Sequence, residues 1–213
     1  MTVRWTFGVE PLPQTTAAAD LLRRVTGLVV SMEHEDPVVD GLLATLEEAE
    51  RALAAIAPAD PHPRVGAQVA SDGRVYLDHS RDIGSYNPCF PEYTIAVDGD
   101  QASGTVNFPT AYEGPPGIVH GGYLSLLFDC VVQHHNCDLG VAGKTTSLSV
   151  RFRRPTPLLT ELHFELERSV DGGRITSTAQ LLHSDVLLAE AEVRALAGER
   201  AHLPEVSTRR PPP

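Results

Sequence analysis

The residues best equipped for chemistry lie in one short segment, His120-Gly121-Gly122, with Asp129 seven positions after the second glycine. Two of these features break local rules. The glycines open a helical pattern at a place where glycine costs helix stability, and Asp129 interrupts its most apolar stretch, where an unpaired carboxylate is expensive. Local rules broken without visible compensation mark function. A helix start stripped of side chains lets a ligand approach unpaired backbone N–H groups and the positive end of the helix dipole, an arrangement suited to an oxyanion hole. Gly122 is the expected donor, and Gly121 borders the substrate. Asp129 reads as a nucleophile, as a general base toward water, or as a buried carboxylate held by a structural partner. His120 orients the loop or polarises a carbonyl.

Spacing limits how these groups cooperate. Gly122 and Asp129 are close to two turns apart, so they share a helix face but sit about 10 Å from one another along the axis. One helix cannot bring both onto a single carbonyl. Two antiparallel copies of the helix across a two-fold axis set Gly122 of one chain against Asp129 of the other, so the chemistry predicts a homodimer or a dimer of dimers.

The helix that must position these residues runs from about Gly121 to Asn136. Tyr123, Leu124, Leu126, Leu127, Phe128, Val131 and Val132 make it apolar on nearly every side, as a buried helix requires. Strands flank it. Before it, Glu92 to Val97 and Gln101 to Phe108 meet at Asp98-Gly99-Asp100, a hairpin turn. After it, Leu148, Val150 and Phe152 alternate with Ser147, Ser149, Arg151 and Arg153, and Leu162, Phe164 and Leu166 alternate with four polar residues, so each strand has one buried and one wet face. Asp171-Gly172-Gly173 and Ser184-Asp185 join further strands at Arg174 to His183 and Val186 to Leu196 into an antiparallel meander. The predicted class is α+β, an antiparallel sheet wrapped around one long central helix.

Upstream the period changes to that of helices. Thr16 to about Ser31 forms one, and a second begins at the N-cap Asp36 with Pro37 at its first position and ends before the proline-rich run from Ala57 to Arg64. Residues 1–64 therefore read as a helical extension, 65–197 as the main domain and 198–213 as a disordered tail.

Composition narrows the partners. The 213 residues carry a formal net charge of −11 and only 6% aromatics, which disfavours nucleic acid and anionic membrane surfaces as partners. Arg151, Arg153 and Arg154 form one short basic patch. Cys89, Cys130 and Cys137 make no paired framework, and no signal peptide or membrane span is recognisable, so a reduced cytoplasmic setting is expected. His134, His135 and Cys137 invite a metal reading, but no further ligands are spaced for one and no metal or cofactor is expected. Nucleophile-elbow, P-loop and dinucleotide-binding motifs are absent.

GPPGIVHGGYLSLLFD, Gly114 to Asp129, resembles the signature of the hotdog-fold acyl-CoA thioesterases, in particular the PaaI-like branch and its relatives with Gly-Pro-Pro-Gly before His-Gly-Gly. PaaI-like members often carry Asn or Gln where this chain has Gly114 to Gly117, which fits the Gly-Pro-Pro-Gly relatives. The resemblance spans roughly Glu92 to Leu196, including the strand order and Arg153-Arg154-Pro155. It implies hydrolysis of an acyl-CoA to free acid and CoA at a site shared across a dimer. By the same resemblance His120 is the motif histidine, the Gly122 N–H holds the thioester oxygen, and Asp129 comes from the opposing subunit. Thr145 helps place the water or the carboxylate, and Arg153 and Arg154 lie near the CoA phosphates. The alternatives are a non-catalytic acyl-CoA-binding hotdog protein and a hotdog enoyl-CoA hydratase. The hydratase would need Asp and His together on the loop before the helix, where this chain has Gly and Pro.

Overall fold

The computed structural model describes residues 5–6, 11–56, 74–75, 81–137 and 142–198. The whole proline-rich run and the expected tail beyond Gly198 lie outside these residues, while Gly198 itself ends β8. In chain order the elements are β1 (Trp5–Thr6), α1 (Pro13–Val30), α2 (Pro37–Ile56), β2 (Arg74–Val75) and the short α3 (Ile83–Tyr86). The hairpin β3 (Tyr93–Asp98) and β4 (Gln101–Asn107), the long helix α4 (Gly121–Cys137) and the strands β5 (Ala142–Phe152), β6 (Glu161–Asp171), β7 (Arg174–His183) and β8 (Val186–Gly198) follow. β1 and β2 pair only with each other, while the other six strands form one sheet in the order β3-β4-β6-β7-β8-β5. Every pairing in that sheet is antiparallel.

Alternation in the sequence becomes the two faces of this sheet. On β6 the buried series Leu162, Phe164 and Leu166 alternates with exposed residues, and on β7 Ile175, Ser177, Ala179 and Leu181 do the same. α4 lies on that inner face, and Leu127, Phe128, Val131 and Val132 are fully buried in the same cluster as Phe164 and Leu181. Each such side chain contributes roughly 1.5–3 kcal/mol of burial. Small inward residues, Ala179, Ala189 and Ala191, belong to this cluster too and leave room for the helix to approach the strands. The result is the α+β hotdog fold, a sheet wrapped around one central helix.

One inward position on β6 holds a charge. Arg168 continues the buried series, and its guanidinium reaches Asp100 at 3.2 Å and the carbonyl of His135 in the last turn of α4. A cation at the C-terminal end of a buried helix satisfies free carbonyls and complements the dipole. The His135 ring, itself buried, makes a 3.0 Å contact from Nε2 to the Gly99 carbonyl in the β3–β4 turn. That end of α4 is thereby tied to the hairpin.

The two N-terminal helices behave differently. Arg23 of α1 is only 5% exposed. It donates to the Tyr112 hydroxyl at 3.2 Å, to Glu92 and the Phe90 carbonyl at 3.3 Å each, and to the Gly84 carbonyl. α1 thus packs on α3 and on the turn of 3-10 helix at Thr110–Tyr112. α2 is capped as expected, with the Val38 N–H donating to Asp36 Oδ1 at 2.9 Å, yet none of its residues is buried. α1 starts at Pro13, three positions before the expected Thr16, because proline is well accommodated in a first helical turn.

Candidate active site

The start of α4 is organised by His120. Its carbonyl accepts from the N–H groups of Tyr123 and Leu124 at 2.9 and 3.4 Å, and its own N–H donates to the Tyr112 carbonyl at 2.9 Å. The preceding loop is braced by the Gly114 N–H on the Ile118 carbonyl at 2.9 Å and the Gly117 N–H on Glu113 Oε1 at 2.6 Å. Gly122, the expected oxyanion donor, spends its N–H on His120 Nδ1 at 3.0 Å. With Nδ1 accepting, the ring carries its proton on Nε2. The Gly121 N–H, at the first helical position, has no acceptor among the described residues. The amide left open in this state is therefore one residue earlier than the sequence suggests.

Gly121 also lies against a neighbouring ring. A Cβ there would come within 3.0 Å of the Phe152 ring. Phe152, expected on the buried face of its strand, is 56% exposed instead. The reason is position: β5 is the last strand of the sheet, so nothing beyond it covers the end of its apolar row. Together Ile118, Gly121, Leu124, Phe152, Arg153 and Arg154 line a cleft of about 450 Å³. Three residues expected to contact substrate thus share one concavity. Arg153 reaches Glu190 at 2.5 Å, with Arg151 on the same carboxylate oxygen at 3.8 Å, while Arg154 donates to the Leu187 carbonyl at 2.9 Å. The guanidinium groups of Arg153 and Arg154 make this rim cationic. A broader depression of about 550 Å³ on the outer face of the sheet is lined by Glu165, Glu167, Thr178 and Gln180 and touches none of the candidate residues.

Asp129 is half-buried near the middle of α4. Its Oδ1 accepts from the Thr145 hydroxyl at 2.8 Å, so two of the expected residues meet. A β-bulge makes this contact. Thr145 pairs with Ala195 and Ser147 with Arg194, so Thr146 is the extra residue, and the bulge turns Thr145 to the inner face that simple alternation denies it. Gln133, which carries no motif, donates its amide to Thr145 Oγ1 at 2.5 Å. Its only signal in the sequence is a position one turn after Asp129. Beside them burial, aided by the charge of Asp129, pushes the Cys130 thiol up to about 12. Gly121 and Asp129 remain about 12 Å apart along the axis, by the rise per residue.

His134 and His135 do not converge. His134 Nδ1 lies 3.1 Å from the Tyr93 hydroxyl and 3.4 Å from Asp82, while His135 points to the β3–β4 turn. Among the described residues no three metal-ligating side chains cluster, and no helix is long and apolar enough to cross a membrane.

No family model matches this sequence, and no curated protein does. Solved structures do. A crystal structure of a thioesterase superfamily protein is 27% identical with a TM-score of 0.70, over 88% of this chain and 94% of that one. A phenylacetic acid degradation-related protein from Ralstonia eutropha is 22% identical, with a TM-score of 0.45 over 49% of this chain and 84% of that one. A hypothetical thioesterase from Streptococcus pneumoniae, solved with coenzyme A, is 19% identical, with a TM-score of 0.48 over 51% of this chain and 90% of that one. The first of these likenesses extends well beyond the hotdog core into the N-terminal region. With the His-Gly-Gly helix start and the wrapped sheet, the chain has the hotdog fold and is similar over most of its length to a thioesterase superfamily protein.

Proposed function

We propose that the protein hydrolyses an acyl-CoA thioester to the free acid and CoA, at a site shared between two copies. The observation that carries this reading is the pairing of an open amide in a cationic cleft with a hydrogen-bonded carboxylate on the same helix. The thioester carbonyl takes the Gly121 N–H, at the positive end of the helix dipole, and the His120 ring stands beside it. The acyl-carrying arm lies against Phe152 and Leu124. Arg153 and Arg154 meet the phosphates, with Glu190 giving way to them.

Asp129 comes from the second copy. Its Oδ1 is held by Thr145, and its Oδ2, which has no partner among the described residues, either takes a proton from the attacking water or adds to the carbonyl itself. The tetrahedral oxyanion rests on the Gly121 N–H, the carbon–sulfur bond breaks and the CoA thiolate takes up a proton; where Asp129 itself has added, water then cleaves the resulting anhydride to the free acid and restores the carboxylate. The free edge of β5 supports the second copy. Its outer backbone groups have no strand partner among the described residues, and its apolar row is only half covered. Pairing two β5 edges about a two-fold axis sets the α4 helices antiparallel, as the separation of Gly121 from Asp129 demands.

A panel of acyl-CoA substrates read by thiol release tests the proposal, with Asp129→Asn as control. Release by the parent and its loss in Asp129→Asn is the expected result. Binding of acyl-CoA without release would favour a non-catalytic binder, and hydration of an enoyl-CoA would favour a hydratase.

A further inference from the structure

We propose that Gln133 is a positioning residue that fixes the direction of the Thr145 hydroxyl proton and so decides which oxygen of Asp129 is left to react. A hydroxyl has one proton and can swing between neighbouring acceptors. Here it cannot. The Gln133 Nε2 amide donates to Thr145 Oγ1 at 2.5 Å, occupying a lone pair on that oxygen, and the single proton of Thr145 is left to the Asp129 carboxylate 2.8 Å away. Asp129 Oδ1 then carries the Thr145 hydrogen bond, and Oδ2 has no partner among the described residues. Three residues on two elements, α4 and the bulged start of β5, form a directional chain that ends at Oδ1 and leaves Oδ2 to react. A neutral amide suits the task because it orders the hydroxyl without adding a charge that would compete for the carboxylate.

The consequence for turnover rests on the hydrolase reading, but the placement of the proton does not. The activity test uses Gln133→Glu and Gln133→Met, alone and combined with Thr145→Val. Glutamate offers Thr145 an acceptor in place of a donor, so the hydroxyl turns away from Asp129. Methionine keeps the length and merely removes the donor. Gln133→Glu should lower kcat by at least about tenfold with KM for acyl-CoA unchanged, the scale of one lost hydrogen bond to a charged group, and Gln133→Met should lose less. Neither should cost anything further in the Thr145→Val background, whereas a loss caused by the added charge alone would persist there. Equal losses for the two variants, additivity with Thr145→Val, or a change confined to KM would overturn the proposal.

Neutron diffraction on the deuterated parent protein decides the geometry independently. The expected map has the Thr145 deuteron directed at Asp129 Oδ1 and the Gln133 amide nitrogen facing Thr145. A Gln133 carbonyl oxygen in that place, accepting the Thr145 deuteron, would overturn the proposal even in an active enzyme. Absence of thiol release by the parent would remove the hydrolase reading and leave this measurement to decide the relay.

Discussion

The start and the middle of α4 are built for opposite purposes. At the start the chain is open: Gly121 keeps a free amide, Phe152 is exposed and arginines stand at the rim. Two turns on, Asp129 is held by Thr145, Thr145 is held by Gln133, and the neighbouring Cys130 is dry enough for its thiol to resist ionisation. One region is open to a ligand and the other keeps a carboxylate in place. In the proposed mechanism neither is a complete site, because the helix between them keeps them apart.

Breaking either region should cost activity in a different way. Asp129→Asn removes the base or nucleophile while keeping its shape, and kcat for thiol release should fall by about 10²–10⁴-fold with an unchanged thermal midpoint. Gly121→Pro removes the open donor at a helix position where proline is well accommodated, and the exposed Phe152 ring can move aside for the added side chain. It should lower kcat by about 10²–10³-fold while circular dichroism stays that of the parent. Replacing both Arg153 and Arg154 by alanine should raise KM for acyl-CoA by about tenfold and leave turnover of the matching acyl-pantetheine, which lacks the nucleotide phosphates, unaltered. The smallest effect is a reactivity. A thiol with a pKa of about 12 is ionised to only about one part in 10⁴ at pH 8, so a thiol reagent should label exposed Cys89 and spare Cys130 until the protein is unfolded.

Much of this difference is written in the sequence. The period-two rows of Leu162 to Leu166 and Ala189 to Val193 map directly onto the inner face, and Asp36 caps α2 as its type and its following proline suggest. The rule-breaking glycines and Asp129 mark the helix that carries both regions. What sequence alone hides depends on neighbours distant in the chain. Alternation assigns Phe152 to the core because it cannot show that β5 is an edge, and it turns Thr145 outward because it cannot show the bulge at Thr146. Arg168 breaks its strand's apolar row and Arg23 sits in an ordinary amphipathic helix; the carbonyls and carboxylates they meet explain their burial. Gln133 reads as a polar position on a helix until Thr145 is placed against it. Which glycine amide stays open depends on the rotation of the His120 ring, which no pattern of residue types encodes.

Co-expression of the Asp129→Asn and Gly121→Pro chains tests the shared site most directly. Each variant alone should be nearly inactive. In a random mixture about half of the dimers are mixed, and each mixed dimer has one site with both an intact Gly121 and an intact Asp129, so thiol release should return to about a quarter of the parent rate. No recovery in mixed dimers, confirmed as mixed by mass spectrometry, would contradict a site assembled from two copies.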